Sequence, residues 1–153
     1  MMKKLSILVL GSFILISMLT GCEKATNVSL EQINEALLVD ETRVKEVGSK
    51  ELRRFIGVNP NEILGYVYYV SISSMEVEEI LVVEVKDRSQ LEDIESMVEA
   101  RVESQINRFS GYKPENCSLL DNYELKVRGS YLFFAVSNEV DTYCDAFLNA
   151  FRK

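Results

Sequence analysis

The sequence predicts an α+β domain built on a four-stranded, mainly antiparallel sheet, with helices packed on it and two short helices before it. Three observations lead to this prediction: two β-hairpin patterns, a long amphipathic helix between them, and another amphipathic helix after the second hairpin. Strands joined by short connections pair antiparallel, so the order after the first two helices is β-β-α-β-β-α. We expect this single domain to span residues 29–153.

The first 21 residues have the layout of a bacterial lipoprotein signal peptide. A positively charged start precedes an apolar run that carries no charge and is too short for a comfortable bilayer span of about 20 residues. The run ends at Leu19, and the small residues Thr20 and Gly21 fit recognition by a signal peptidase. Cys22 follows, and its thiol is the group that would receive a diacylglycerol.

Lipidation of Cys22 would place the mature protein on the extracytoplasmic face of the cell membrane. Each buried methylene contributes about 0.8 kcal/mol, so two or three acyl chains give a stable anchor. Residues 22–28 would then be the lipidated cysteine and a short tether, whose six residues after Cys22 reach at most about 20 Å. An uncleaved membrane anchor and an ordinary signal peptide are the alternatives.

The composition argues against several functional classes. The formal charge is −7 for the full chain and about −9 without residues 1–21, which contain two lysines. Nucleic-acid phosphates would repel such a domain, so we expect no nucleic-acid partner and attribute membrane attachment to the lipid. The chain has no histidine, which removes Ser-His-Asp and Cys-His catalysis and the most common transition-metal ligand. We expect no cofactor and no metal site.

Two short helices are expected at the start of the domain. Ser29 and Gln32 form a capping-box pattern before apolar residues at helical spacing. A second helix is predicted from Ser49 to a stop signal at Gly57. The stretch between the two, residues 39–48, is polar and gives no clear pattern.

The first hairpin pattern combines residues 66–72 and 80–85, both rich in β-branched and aromatic side chains. The polar connection between them carries an acidic cluster of Glu76, Glu78 and Glu79. This cluster lacks the glycine and the Asp/Asn alternation of a calcium loop. Its three carboxylates are therefore expected to be solvated.

A long amphipathic helix is predicted after Asp87, where Ser89 and Glu92 form a second capping-box pattern. Apolar residues then follow in steps of three and four from Leu91 to Phe109. The opposite face is expected to be a solvated surface rather than a binding site. It carries the charged residues Glu92, Asp93, Glu99, Arg101, Glu103 and Arg108.

The second hairpin follows a predicted loop over residues 111–122. Residues 123–128 alternate between apolar and charged side chains, as in a half-exposed strand. A Gly-Ser pair at 129–130 predicts a two-residue turn with glycine in its first central position. Residues 131–137 return as an almost entirely apolar strand, and Asn138 is expected to cap the last helix.

Two of the predicted strands are apolar in consecutive positions, and such strands are covered on both faces. We expect the long helix and the last helix to lie together on one face of the sheet. The two N-terminal helices would then cover part of the other face.

Two cysteines remain after Cys22, namely Cys117 and Cys144. A disulfide between them is permitted outside the cytoplasm. We favour two ordinary small residues, because a domain of about 130 residues buries enough surface without a covalent link.

Several stretches of the chain resemble a known family: YVYYVS at 66–71, FSGYKPE at 109–115 and GSYLFFAVS at 129–137, with Glu79-Ile80 leading into a strand. The family consists of small lipid-anchored proteins, found mainly in Gram-positive bacteria, and is defined as a domain of unknown function. The resemblance covers most of the chain after the signal. It implies an extracytoplasmic, lipid-anchored α+β domain and supplies no catalytic residues.

Three functional hypotheses follow from these features. The first is an envelope interaction module that contacts another protein, since the chain combines a lipid anchor with no reactive motif. The second is a small-ligand or peptide binder, with a site lined by tyrosines. The third and weakest is an enzyme that uses carboxylates. The tyrosines considered for ligand binding are Tyr66, Tyr69, Tyr112 and Tyr123.

Overall fold

The structure, a computed structural model, describes residues 28–152. Its helices are α1 (Leu30–Leu37), α2 (Ser49–Glu51), α3 (Gln90–Phe109), α4 (Pro114–Asp121) and α5 (Val140–Ala150). Its strands are β1 (Val44–Glu46), β2 (Ile63–Ser71), β3 (Glu79–Val85), β4 (Glu124–Arg128) and β5 (Tyr131–Val136). A π-helical turn, Leu52–Ile56, continues α2 and is called the π-turn below, and a 3-10 turn, Pro60–Glu62, precedes β2.

The predicted signal peptide, with its residues Leu19, Thr20 and Gly21, lies outside the described residues, as do Cys22 and the tether up to residue 27. The described fold begins at Val28, which is buried. Within residues 28–152, no helix is both long enough and apolar enough to cross a bilayer.

The five strands form one sheet in the order β1-β2-β3-β5-β4, and every neighbouring pair is antiparallel. The predicted α+β class with an antiparallel sheet is confirmed, but the predicted number of four strands is wrong. The additional strand is β1, which lies in the polar stretch that gave no pattern. Its register pairs Val44 with Ser71 and Glu46 with Tyr69, so it extends the sheet beyond β2. Only Val44 of its three residues is buried, and three residues are too few for alternation to be visible.

The helices cover both faces of the sheet, but not in the predicted combination. On one face, called the α3 face, α3, α4 and the π-turn pack against apolar residues such as Leu81 and Phe134. On the other, called the α5 face, α1 and α5 pack against residues such as Val82 and Phe133. We predicted α3 and α5 on the same face, which is wrong. Strands β3 and β5 are apolar on both sides, so their sequence does not indicate which helix covers which side.

The helix starts show which capping patterns form. The predicted capping box of α1 is confirmed: Ser29 Oγ accepts from the Gln32 amide at 3.2 Å, and Gln32 Oε1 accepts from the Ser29 amide at 2.9 Å. The second predicted box is wrong, because Ser89 has helical backbone angles and makes no side-chain cap toward Glu92. Instead, Gln90 Oε1 accepts from two backbone amides of the preceding turn, at 3.1 and 3.0 Å.

Three further boundaries test the prediction. The loop expected over residues 111–122 contains α4, which starts at Pro114, a residue suited to the first turn of a helix. At the start of α5, the Glu139 amide donates a hydrogen bond to Ser137 Oγ at 3.1 Å, and the expected cap from Asn138 does not form. The Gly-Ser turn between β4 and β5 forms as predicted, and its glycine has φ +61°, which side chains with a Cβ rarely adopt.

Candidate functional site

A pocket of about 380 Å³ opens on the α3 face, at the end of the sheet where β2 leads into β3. Four parts of the chain line it: the β1–β2 edge, the end of α2 with the π-turn, the β2–β3 connection, and one side of α3. Its volume lies in the range of small-molecule and peptide side-chain sites, roughly 300–1,000 Å³. The candidate site is therefore assembled from segments far apart in sequence.

One wall of the pocket contains a buried carboxylate, that of Glu79, which is 3% exposed. The Arg101 guanidinium contacts this carboxylate through two nitrogens. Nε lies 3.3 Å from Oε1 and 3.1 Å from Oε2, and Nη2 lies 3.1 Å from Oε2. The Tyr68 hydroxyl also donates to Oε1 of the same carboxylate. Each oxygen of Glu79 thus has a donor, as a buried carboxylate requires.

Burial dominates the electrostatics of this cluster. Desolvation raises the pKa of the Glu79 carboxyl, and the charge of Arg101 and the hydrogen bonds from Tyr68 and Arg101 act in the opposite direction. Burial also raises the pKa of the Tyr68 hydroxyl far above its usual value, with a further contribution from the Glu79 charge. Tyr68 therefore stays protonated and serves as a permanent donor, not as a base.

Arg101 is held from its other side by an aromatic ring. Its guanidinium carbon lies 4.8 Å from the centroid of Phe55 in the π-turn, and its side chain is only 15% exposed. The guanidinium of Arg54 lies 5.2 Å from the same ring. Of these two cation–π contacts, the one from Arg101 joins α3 to the π-turn, whereas Arg54 and Phe55 are neighbours within the turn. Arg54 and Phe55 of the π-turn form one wall of the pocket. Arg54 makes no ion pair among the described residues.

Gln105, one turn after Arg101 on α3, also lines the pocket and is 5% exposed. Within residues 28–152, its side-chain amide makes no hydrogen bond. Its amide atoms keep some contact with solvent through the pocket, since the fully buried side-chain polar atom that lacks a partner among the described residues is Asn116 Oδ1. Water or a ligand in the pocket can therefore complete the hydrogen bonds of the Gln105 amide. Gln105 is therefore the feature of this pocket that most directly points to a bound group.

The acidic cluster of the β2–β3 connection is only in part the solvated group that we expected. Its three carboxylates pair with three different cations: Glu76 with Lys113 at 2.6 Å, Glu78 with Arg43 at 3.2 Å, and Glu79 with Arg101. The expectation holds for Glu76, which is exposed, and is wrong for Glu79, which is buried.

The charged surface of α3 departs from prediction at two positions. Arg101 was expected to be solvated but is mostly buried against Glu79 and Phe55. Arg108 is exposed as expected, yet it lines the pocket and donates to the Ser74 carbonyl at 3.2 Å. A sequence signal for this cluster does exist: Glu79 is in phase with the apolar side of β3 that faces α3.

The four tyrosines considered for ligand binding do not line this pocket. Tyr66 and Tyr123 are half-buried on the α3 face, and the Tyr123 ring lies edge-on to Phe134. Tyr69 is buried on the α5 face, where its hydroxyl donates to Asn34 Oδ1 at 3.1 Å. The fourth, Tyr112, is 55% exposed near the end of α3.

The two cysteines are free thiols on opposite sides of the sheet. Cys117 is half-buried against the α3 face, and Cys144 is buried on the α5 face. Burial raises the pKa of the Cys144 thiol, which keeps it protonated and unreactive. The disulfide that the sequence permits is therefore not formed in this structure.

Most of the described fold matches a known protein family. The family model of the domain of unknown function DUF4358 matches residues 38–137, which is more than half of the chain. Among curated proteins and solved structures, no match was found. The matched region contains all five strands and every residue that lines the pocket, whereas α1 and α5 lie outside it. The chain therefore belongs to the DUF4358 family, a family of unknown function.

Proposed function

We propose that this protein is a lipid-anchored interaction module of the bacterial cell envelope, which captures a segment of a partner protein in the α3-face pocket. The lipid on Cys22, the extracytoplasmic location and the Gram-positive source implied by the sequence resemblance are parts of this proposal. The observation that carries it is Gln105, a residue that is 5% exposed and lines the pocket and whose amide has no hydrogen-bond partner among the described residues.

The chemistry of the pocket favours binding over catalysis. The Glu79 carboxylate is engaged by Arg101 and Tyr68, so it is poorly placed to abstract a proton from a substrate. The high pKa of Tyr68 likewise leaves its hydroxyl a donor. A free small ligand is the second candidate occupant, since the volume of about 380 Å³ suits one.

The position of the pocket fits a module that faces away from a membrane. The described fold begins at Val28, whose carbonyl accepts from the Tyr131 hydroxyl at 2.8 Å. Tyr131 pairs with Glu84, whereas the pocket lies at the Glu79 end of the same strand, about 17 Å away. An anchor on Cys22 would hold the Val28 end near the lipid and leave the pocket open to the outside.

Site-directed photo-crosslinking in intact cells tests the interaction. A photoreactive amino acid replaces Ser73, which is exposed at the pocket, or Asp145, which is exposed on α5 as a matched control. We expect a reproducible crosslinked protein from position 73 that is missing from position 145. Identical products from both positions, or none from position 73, would contradict the proposal.

The anchor has its own test. Cys22→Ser removes the thiol that would be acylated, so the variant should lose the diacylglycerol and change its retention in the membrane fraction. Mass spectrometry of the mature amino terminus, together with fractionation, measures both. A variant that is processed and retained like the wild type would rule out lipid attachment at this residue.

A further inference from the structure

The β2–β3 connection, residues 72–78, forms much of the pocket but has few internal contacts that fix its shape. Six of its seven residues line the pocket. Val77 is its one buried residue, whereas the side chain of Met75 is among the exposed apolar groups. The connection closes one turn of its own, in which the Glu76 amide donates to the Ser73 carbonyl at 3.2 Å. The shape of the pocket therefore depends on what holds this segment from outside.

Two side chains at the start of α4 hold the middle of this connection by its backbone. Lys113 Nζ donates to the Met75 carbonyl at 2.7 Å, and Asn116 Nδ2 donates to the same oxygen at 2.9 Å. Lys113 Nζ also lies 2.6 Å from the Glu76 carboxylate, which fixes the next residue of the connection. The Met75 carbonyl thus has two donors, and both come from outside the connection.

The turn that carries these two donors is itself packed into the core. Phe109 at the end of α3 and Leu120 on α4 are both buried on the α3 face. Between them, Gly111 has φ +88°, and the Lys113 amide donates to the Phe109 carbonyl at 3.1 Å, so the chain turns tightly into α4. Lys113 immediately precedes α4 and Asn116 is its third residue, so both lie at the same end of that helix. A well-packed element therefore presents two donors to a segment that has few contacts of its own.

The burial of Asn116 is not explained by the stability of the fold. Asn116 is 0% exposed, and its Oδ1 has no hydrogen-bond partner among the described residues. A buried acceptor without a partner lowers stability, so an apolar side chain of similar shape would suit this position better. The described side-chain contact that Asn116 does make is the hydrogen bond to the Met75 carbonyl. A buried polar group that opposes stability and holds a pocket-forming segment indicates a role in the site.

We infer that Lys113 and Asn116 are positioning residues for the pocket. They hold the β2–β3 connection in the shape that receives the partner segment, and the stability of the domain does not depend on them. This inference rests on the proposed function and adds how the site is kept in shape. It also assigns a role to the stretch FSGYKPE at 109–115, none of whose residues lines the pocket. Without the two donors, the connection would move between its ends, and its six lining residues would move with it.

Amide hydrogen exchange of the full chain in a neutral detergent tests the inference, because exchange reports local opening of a segment. The variants are Lys113→Met, which keeps the length of the side chain, and Asn116→Leu, which keeps its branched shape. The matched control is Lys126→Met, since Lys126 also pairs with a carboxylate, that of Glu124, but lies on β4. We expect the Glu76 amide to exchange at least fivefold faster in Lys113→Met and in Asn116→Leu, and at the wild-type rate in Lys126→Met.

Two further measurements separate positioning from support of the fold. The midpoint of urea unfolding should stay the same or rise in Asn116→Leu, because an unpartnered acceptor is removed. In Lys113→Met it should match that of Lys126→Met, since each variant loses one partly exposed ion pair. Lys113→Arg keeps a donor and should restore the wild-type exchange rate. In cells, a photoreactive amino acid at position 45, which lines the pocket outside the connection, should give at least threefold less crosslinked partner in Lys113→Met than in Lys126→Met.

Three outcomes would overturn the inference and leave the proposed function intact. The first is unchanged exchange of the Glu76 amide in both variants. The second is a urea midpoint that falls in both variants as exchange rises, because the two residues would then support the fold. The third is faster exchange with undiminished crosslinking from position 45, because capture would then not depend on the shape of the connection.

Absence of a crosslinked protein in the wild type has a different meaning. The proposed function would then fail, and the role of Lys113 and Asn116 in capture would fail with it. The exchange rates would still show whether these two residues hold the connection. An Asn116→Leu variant that does not fold would assign Asn116 to the fold, and Lys113→Met alone would then decide whether the connection is held from α4.

Discussion

The two faces of the sheet differ in how they are filled. The α5 face is closed by aromatic rings: Phe147 stacks on Phe133 at 5.0 Å between centroids and meets Phe151 edge-on at 5.2 Å. The α3 face is equally apolar near its centre, but at the β2–β3 end it contains the Glu79–Arg101 pair and an open pocket. Rings in close contact stabilise a fold, whereas buried charges beside a cavity add little stability.

The family match follows the same division. Every element that builds the α3 face lies within residues 38–137, whereas the two helices that cover the α5 face lie outside that range. The pocket thus belongs to the part of the chain that the family model describes. Under the proposed function, the α5 face would provide stability and the α3 face recognition.

The largest effect is expected from opening the α5 face. Phe147→Ala removes a fully buried ring that contacts Phe133 and Phe151, so it should lower the free energy of unfolding by about 3–5 kcal/mol. Urea unfolding followed by circular dichroism measures this loss. Phe147→Leu keeps part of the volume and serves as the control, with a smaller loss. If the alanine variant loses less than 1 kcal/mol, the α5 face is not the main source of stability.

Breaking the buried ion pair on the α3 face should come second. Arg101→Met leaves the Glu79 carboxylate buried without its main partner, which should cost about 3 kcal/mol. The double variant Arg101→Met with Glu79→Leu removes both charges and should regain most of that loss, to within about 1 kcal/mol of the wild type. Urea unfolding at pH 7 compares the three proteins. A double variant as unstable as the single one would show that the pair itself stabilises the fold.

Part of this fold could be predicted from sequence because the patterns are long. Strands β3 and β5 are apolar along most of their length. In α3, apolar residues recur in steps of three and four over several helical turns. Strand β1 was missed because Val44 is its only buried residue. Helix α4 was missed because its two buried positions, Asn116 and Leu120, do not form an apolar stripe.

The candidate site was missed for a different reason. Charged residues are almost always solvated, so Glu79 and Arg101 were assigned to the surface. Their burial depends on each other and on Tyr68 and Phe55, and a contact between distant segments leaves no local pattern. Gln105 falls within the buried stripe of α3, three residues after Val102 and four before Phe109. It was overlooked because it is polar and the apolar Ile106 beside it continues the same pattern of steps.

Removing a buried polar group should change stability by a smaller amount, and with opposite sign on the two faces. Tyr69→Phe on the α5 face removes a hydroxyl that donates to Asn34, and should cost about 1 kcal/mol. Gln105→Leu on the α3 face removes an amide without a described partner, and should raise stability by up to about 1 kcal/mol. A clear destabilisation by Gln105→Leu would mean that the amide supports the fold and is not reserved for a ligand.

The smallest effect is a pH dependence that only the α3 face should show. Because burial raises the pKa of Glu79, the folded state binds this proton more tightly than the unfolded state. Its contribution to stability is therefore complete below the unfolded pKa of about 4.3 and is lost as pH rises through the folded pKa. We therefore compare the unfolding free energies of the wild type and Glu79→Gln. The wild-type value minus the variant value should fall as pH increases from 4. The loss of the Arg101 ion pair in the variant adds a constant to this difference and does not change its slope.

Urea unfolding at several pH values between 4 and 7 measures this difference, with Tyr69→Phe as the control. The Tyr69 pKa is raised above its usual value near 10, so no proton is exchanged at that residue in this range and the control difference should stay flat. A wild-type advantage over Glu79→Gln that grows with pH would mean that Arg101 and Tyr68 outweigh burial. Glu79 would then stabilise the fold as an ion, and the separation between a stabilising face and a recognition face would no longer hold.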